Sequence, residues 1–123
     1  MQQASALNNT DPLVETAHAH MVLRRAISSP SAVSAREAAE SAFETLRRLV
    51  ATRSHDHYPA HVFGSQALSW CRHASLTPRE RTTLLREARD VVQQALNLHR
   101  SRQELKHLLT DLRRAELDPA LRS

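Results

Sequence analysis

The chain has 123 residues, a formal net charge of +4, one glycine and one cysteine. This length supports one hydrophobic core. So little glycine beside so much Ala, Leu, Arg and Glu argues against a β-rich or glycine-loop fold and predicts an all-α protein. The single cysteine, Cys71, argues against an internal disulfide or a CxxC zinc site. No apolar run approaches the ~20 residues of a membrane span, and residues 1–9 lack the pattern of a signal peptide, so we expect a cytoplasmic protein.

The first two elements are a tail and a helix. Residues 1–10 are small and polar, which predicts a flexible N-terminal tail. Helix 1 is predicted to begin at Asp11-Pro12, where Thr10 or Asp11 supplies a cap and Pro12 occupies the first turn. It is predicted to run to about Ile27, because the following Ser-Ser-Pro sequence ends a helix.

Helices 2 and 3 follow. Ser34–Glu37 has the pattern of a capping box, in which serine and glutamate satisfy each other's free amide donors, and it predicts the start of helix 2. This helix is expected to continue to about Arg53. Helix 3 is predicted from about Pro59 to Ala74, after a polar loop.

Two further capping boxes predict the starts of helix 4, at Thr77–Glu80, and of helix 5, at Ser101–Glu104. Helix 4 is expected to end near His99. Helix 5 is expected to end before Asp118-Pro119, which leaves residues 118–123 as a C-terminal tail.

The predicted domain spans residues 11–117. Short loops make neighbouring helices antiparallel, so the predicted fold is all-α, with five antiparallel helices. Helices 2 and 4 carry the same apolar stripe 46 positions apart, which indicates a duplicated helical hairpin followed by a C-terminal capping helix. The matching residues are Ala38, Ala39, Ala42, Leu46, Leu49 and Val50 in helix 2, and Leu84, Leu85, Ala88, Val92, Ala95 and Leu96 in helix 4.

The second hairpin is similar to a tetratricopeptide (TPR) repeat over roughly residues 58–112. Ala88, Val92 and Ala95 follow the small, large, small order of the second TPR helix. Phe63-Gly64 resembles the large–small pair of the first TPR helix, where the small residue admits the second helix. The period of 46 exceeds the roughly 34 residues of TPR, so the resemblance is to a TPR-like helical repeat. It implies a scaffold that binds another protein in a groove, and it implies no catalytic residue.

Histidines cluster before and within helix 3. His57 and His61 are four apart and would share a helix face, and with His55 or Asp56 they form a candidate zinc site. The alternative is that they are tolerated in a polar loop, because Pro59 delays the helix and no HExxH motif is present. We expect the alternative, with no bound metal or cofactor. No nucleophile or phosphate loop accompanies them, so we also expect no enzymatic activity.

Arginines on helix 4 suggest another function. Arg79, Arg86 and Arg89 would contact the phosphates of a nucleic acid if they formed one patch. The alternative is a solvated face joined by helical ion pairs, because Glu and Asp are interleaved with the arginines. A small α-helical nucleic-acid-binding regulator is therefore our alternative function.

The outer helices differ in pattern. Helix 5 has one apolar stripe, and its other residues suit the polar outer face of a terminal helix. Helix 1 has apolar residues nearly all round its second half, so it is either deeply buried or in contact with another chain, which leaves a homodimer open. The residues of helix 5 that fit this polar outer face are Arg102, Lys106, Asp111, Arg113 and Arg114.

Taken together, these patterns predict a non-catalytic protein–protein interaction module, acting as an adaptor, a chaperone-like protein or a regulatory subunit. We place its groove between helices 1 and 3, where the partner would be another protein or a peptide, with no membrane involved. The candidate partner-binding residues are His20, Arg24, His61, Ser65 and Arg72.

Overall fold

The computed structural model describes residues 11–29 and 32–122, which form six helices and no strand. The predicted all-α class is confirmed. The predicted N-terminal tail, 1–10, lies outside the described residues. The helices are α1 (Pro12–Ser28), α2 (Ala32–Thr52), α3 (Tyr58–Trp70), α4 (Pro78–Leu98), α5 (Gln103–Glu116) and α6 (Pro119–Arg122).

Two of the predicted helix starts are confirmed by their caps. The Asp11 carboxylate accepts from the Leu13 amide at 3.0 Å, and Pro12 is the first residue of α1. At α4 the Glu80 amide donates to the Thr77 hydroxyl at 3.1 Å, and the Thr77 amide donates to the Glu80 carboxylate at 2.9 Å. Both caps satisfy amide donors that the first helical turn leaves free.

The other two capping boxes were predicted wrongly. α2 begins at Ala32, so Ser34 lies within its first turn, because Ala32 and Val33 extend the helix. α5 begins at Gln103. The Arg102 amide donates to the His99 carbonyl at 3.1 Å, which places Ser101 inside a turn rather than at the cap.

The end of helix 3 and the predicted C-terminal tail also differ from the prediction. α3 ends at Trp70 rather than Ala74, because the chain turns back there. The His73 amide donates to the Trp70 carbonyl at 2.9 Å, and the His73 ring stacks on Trp70 at 4.4 Å between centroids. Within the predicted C-terminal tail, 118–123, residues 119–122 form α6, whose Leu121 is buried.

The predicted likeness of helices 2 and 4 is confirmed in the structure. α2 and α4 each have 21 residues, and their bounds are 46 positions apart. The six matched apolar positions also have the same burial in both helices. The first and last of each set are half-buried, and the four between them are buried.

α3 is the central helix, in contact with α1, α2, α4 and α5. Its glycine explains how closely these helices approach: a Cβ atom at Gly64 would lie 2.6 Å from Val92 Cγ2 and 2.8 Å from Leu108 Cδ2. Only glycine fits this contact between α3, α4 and α5 without displacing a side chain. Phe43 and Phe63 meet edge to face at 5.2 Å and join α2 to α3.

Consecutive long helices on either side of this core run antiparallel. Arg48, near the end of α2, pairs with Glu15, near the start of α1. In the same way Arg89 of α4 pairs with Glu116, at the end of α5. Among the described residues, no helix combines the length and the apolar character needed to cross a membrane.

Candidate functional site

α1 and α5 lie on either side of α3 and both contact it. One surface depression lies between α1 and α3, and another lies between α3 and α5. The first depression, between α1 and α3, has a volume of about 260 Å³. The second, between α3 and α5, has a volume of about 480 Å³. Ser69 lines both, so they form one surface, which we call the α1–α3–α5 groove. The first depression is lined by His20, Arg24, Ile27, Gln66 and Ser69, and the second by Leu68, Ser69, Arg72, Asp111, Arg114, Ala115 and Asp118.

Helical periodicity puts these residues on the surface. α3 buries Phe63, Ala67 and Trp70 in the core, so Ser69 and Arg72 are left exposed. α5 is oriented in the same way by its buried leucine stripe, which leaves Asp111 and Arg114 exposed beside the second depression. The leucines of that stripe are Leu105, Leu108, Leu109 and Leu112.

The groove carries cations that the fold itself does not neutralise. Across residues 11–29 and 32–122, no carboxylate forms an ion pair with Arg24, Arg72 or Arg114. Asp111 and Asp118 line the second depression together with two of these arginines. The groove therefore offers charges of both signs at one end and positive charge at the other.

A buried amide forms part of the first depression. Gln66 is only 8% exposed, and its Oε1 atom has no hydrogen-bond donor within the described part of the chain. A buried acceptor without a donor is costly and uncommon in folded proteins. The Gln66 side chain is thus a buried polar group of the groove whose carbonyl oxygen accepts no hydrogen bond from the described residues.

The structure brings together three of the five residues predicted to bind a partner. His20 and Arg24 line the first depression and Arg72 lines the second. His61 and Ser65 line neither. Ser65 donates to the Val62 carbonyl of its own helix at 3.2 Å. Partial burial lowers the pKa of His61, although the negative charge of Glu104 opposes that shift.

The histidine cluster at the start of α3 is real but does not converge on a metal position. His57 Nε2 lies 3.5 Å from a Glu104 oxygen, and the His57 and His99 rings are 5.6 Å apart. The His61 amide donates to the His57 carbonyl, so the two residues are one helical turn apart. In the part of the chain that the structure describes, no three His, Cys, Asp or Glu side chains are placed to hold a metal ion.

The helix 4 arginines do not form one free patch. Arg79 and Arg86 are exposed. Arg89 donates to Glu116 at 3.1 Å and lies 3.7 Å from an Asp90 oxygen. Its charge is therefore balanced within the protein.

Two further arginines of α2 join that helix to α4. Arg36 donates to Glu80 at 2.6 Å, and Arg47 donates to both oxygens of Glu87, at 2.6 and 2.9 Å. The Thr77 amide, followed by the Arg36 guanidinium, lowers the pKa of the Glu80 carboxyl. These bidentate pairs fix the two repeated helices to each other.

Cys71 lies at the end of α3 and is fully buried. Its Sγ donates to the Leu68 carbonyl at 3.1 Å, and burial raises the pKa of the thiol. A raised pKa disfavours the thiolate that a nucleophile requires. Cys71 is therefore part of the hydrophobic core.

Comparisons of the chain with protein-family models, with curated proteins and with solved structures find no significant match.

Several groove residues were missed from the sequence. The leucine stripe of α5 fixes its inward face. α1 and α3 are the first helices of the two predicted hairpins, and α5 follows as the first helix of a third hairpin would, which places it beside α3. These two signals together would have added Asp111 and Arg114. Nothing local in the sequence identifies Gln66, because a glutamine is ordinarily an exposed residue.

Proposed function

We propose that the protein is a non-catalytic binding module that holds a segment of another protein along the α1–α3–α5 groove. The observation that carries the proposal is the pair of depressions that meet at Ser69. Together they flank α3 on both sides and offer a partner two adjacent depressions.

The chemistry of the groove suits a peptide or helix with mixed side chains. Ile27 and Leu68 supply apolar surface, and Arg24, Arg72 and Arg114 supply cations that no carboxylate of the described residues pairs with. The proposal also draws on the resemblance of roughly residues 58–112 to a TPR-like repeat, which implies a scaffold that binds another protein in a groove.

Nucleic-acid binding remains the alternative, but the ion pairs of Arg89 with Glu116 and Asp90 weigh against it. A nucleic-acid interface needs cations that are free to meet phosphates.

The test is a comparison of two serine variants. Ser69→Arg would fill the meeting point of the two depressions, whereas Ser41→Arg adds the same side chain at an exposed site of α2. Partners would be captured from host extract with and without nuclease treatment, identified, and then titrated in purified form against each variant by calorimetry. We expect Ser69→Arg to weaken binding at least about tenfold and Ser41→Arg to leave it unchanged.

Two results would reject the proposal. One is equal binding of the purified partner by both variants. The other is recovery of nucleic acid alone, with a steep loss of affinity as salt rises, which would favour the helix 4 alternative.

A further inference from the structure

The outward face of α1 carries an apolar stripe that no other part of residues 11–29 and 32–122 covers. Val14, Ala17 and Met21 are exposed at the spacing i, i+3, i+7, with Leu13 beside them. Leu13 is 60% exposed, Val14 53% and Met21 54%. A stripe of this spacing is the pattern by which one helix packs along another. The opposite face of α1 packs into the core through Thr16, Ala19, Leu23 and Ala26.

Charges at the two ends of the stripe have opposite signs. Asp11 precedes the first turn of α1, and Arg24 and Arg25 lie in its last turns. No carboxylate among the described residues forms an ion pair with either arginine. If a second α1 ran parallel to the first, like charges would meet at both ends. If it ran antiparallel, the Asp11 end of each helix would meet the arginine end of the other.

We propose that a second copy of this chain covers the stripe, and that the two α1 helices pack antiparallel about a two-fold axis beside Ala17 and His18. In this register Val14 of each copy faces Met21 of the other, and Asp11 faces Arg24. The small side chain of Ala17 allows the helices to approach closely near the axis. Such an interface is isologous, so each contact occurs twice.

This inference does not depend on the proposed partner groove. The dimer surface uses the outward side of α1, and the groove uses the side that faces α3. Arg24 alone belongs to both surfaces. A chain that dimerised but bound no partner would support the inference and reject the proposed function, and the reverse result would do the opposite.

The experiment is sedimentation equilibrium of the full chain over a wide concentration range. We expect the wild-type chain to show a monomer–dimer equilibrium. Val14→Glu alone, or Met21→Lys alone, should raise the dissociation constant at least about tenfold, because a charge would be buried twice in the interface. Leu98→Glu is the matched control, because Leu98 is a 63% exposed residue on α4, and it should leave the equilibrium unchanged.

Mixing the two variants tests the register. In the antiparallel pair the new carboxylate of one copy meets the new ammonium of the other, so an equal mixture of Val14→Glu and Met21→Lys should dimerise again. In a parallel pair the two new charges would not meet, so mixing would only relieve the like-charge repulsion within each homodimer and would not restore the wild-type dissociation constant. Circular dichroism of each variant checks that the helices remain folded, as expected for substitutions at exposed positions.

Three outcomes would overturn the proposal. The first is a wild-type chain that stays monomeric at every concentration, which would leave residues 1–10 or another protein to cover the stripe. The second is a dimer that persists in both single variants, which would place the interface elsewhere. The third is a failure of the mixture to dimerise.

Discussion

The outward faces of α1 and α5, the helices that flank α3, differ in the chemistry of their exposed side chains. Every exposed position of α5 is polar or charged, as predicted for a capping helix. α1 exposes Leu13, Val14 and Met21 instead. A stack of helices in water needs a polar outer face at each end. The α5 side meets this requirement within one chain, and the α1 side does not.

The strongest test of this difference is the same substitution at both ends. Leu112 of α5 is fully buried, whereas Leu13 of α1 is 60% exposed. We expect Leu112→Ala to lower the free energy of unfolding by about 2–5 kcal/mol, because it leaves a cavity in the core. Leu13→Ala should change it by less than about 0.5 kcal/mol. Urea unfolding at low protein concentration measures both, and similar losses would mean that the two ends do not differ.

Gly64 tests how closely the α5 side is packed. A side chain at this position would collide with Val92 and Leu108, so Gly64→Val should cost about 1–3 kcal/mol of stability. Ser41→Val is the control, since it introduces the same β-branched residue at an exposed position of α2. Thermal unfolding followed by circular dichroism compares them. If the two variants lost the same stability, helix propensity rather than packing would explain the effect.

α6 tests whether the α5 side depends on the last helix. Leu121 is buried and lines a depression of about 220 Å³ with Leu85 of α4. Leu121→Asp should detach α6 and cost about 1–2 kcal/mol, because a charge cannot stay in that apolar contact. Hydrogen exchange should then show faster exchange in α4 near Leu85. Ala120→Asp, at an exposed site of the same helix, should leave the exchange unchanged.

The smallest expected effect concerns pH and the contact between α3 and α5. Burial lowers the pKa of His61 below its ordinary value of 6.5, so the unfolded chain binds the proton more tightly than the folded one. Stability should therefore fall as the pH drops below about 6.5. His61→Gln should remove part of this dependence, which denaturant unfolding at pH 8 and pH 5.5 measures. An identical loss of stability in the variant would assign the dependence to other groups.

A helix start was predictable from the sequence where the residues around the capping residue also favour a start at that position. At Thr77 a proline and a glutamate agree with the threonine, and the predicted capping box forms. At Ser34 the preceding Ala32 and Val33 join the helix, so the serine lies within the first turn and not before it. At the end of α3 the His73 ring stacks on Trp70. No residue pattern in the sequence predicts this contact between side chains.

The groove was predictable in part for a similar reason. The order of the helices puts α1 beside α3, which is why His20 and Arg24 were found. His61 and Ser65 lie on α3 but outside both depressions, because the shape of the groove depends on how α5 packs. The position of α5 follows from contacts such as that of Gly64 with Leu108, which connect distant parts of the chain.

Trp70 gives the molecule an internal optical probe. The sequence contains one tryptophan, and the structure stacks it on His73, where the chain leaves α3. Its fluorescence therefore reports the environment of one place, the end of the central helix. A loss of that stack would change the emission while the helical signal in circular dichroism stayed high. Comparing the two signals during unfolding would show whether the centre of the protein opens together with its ends.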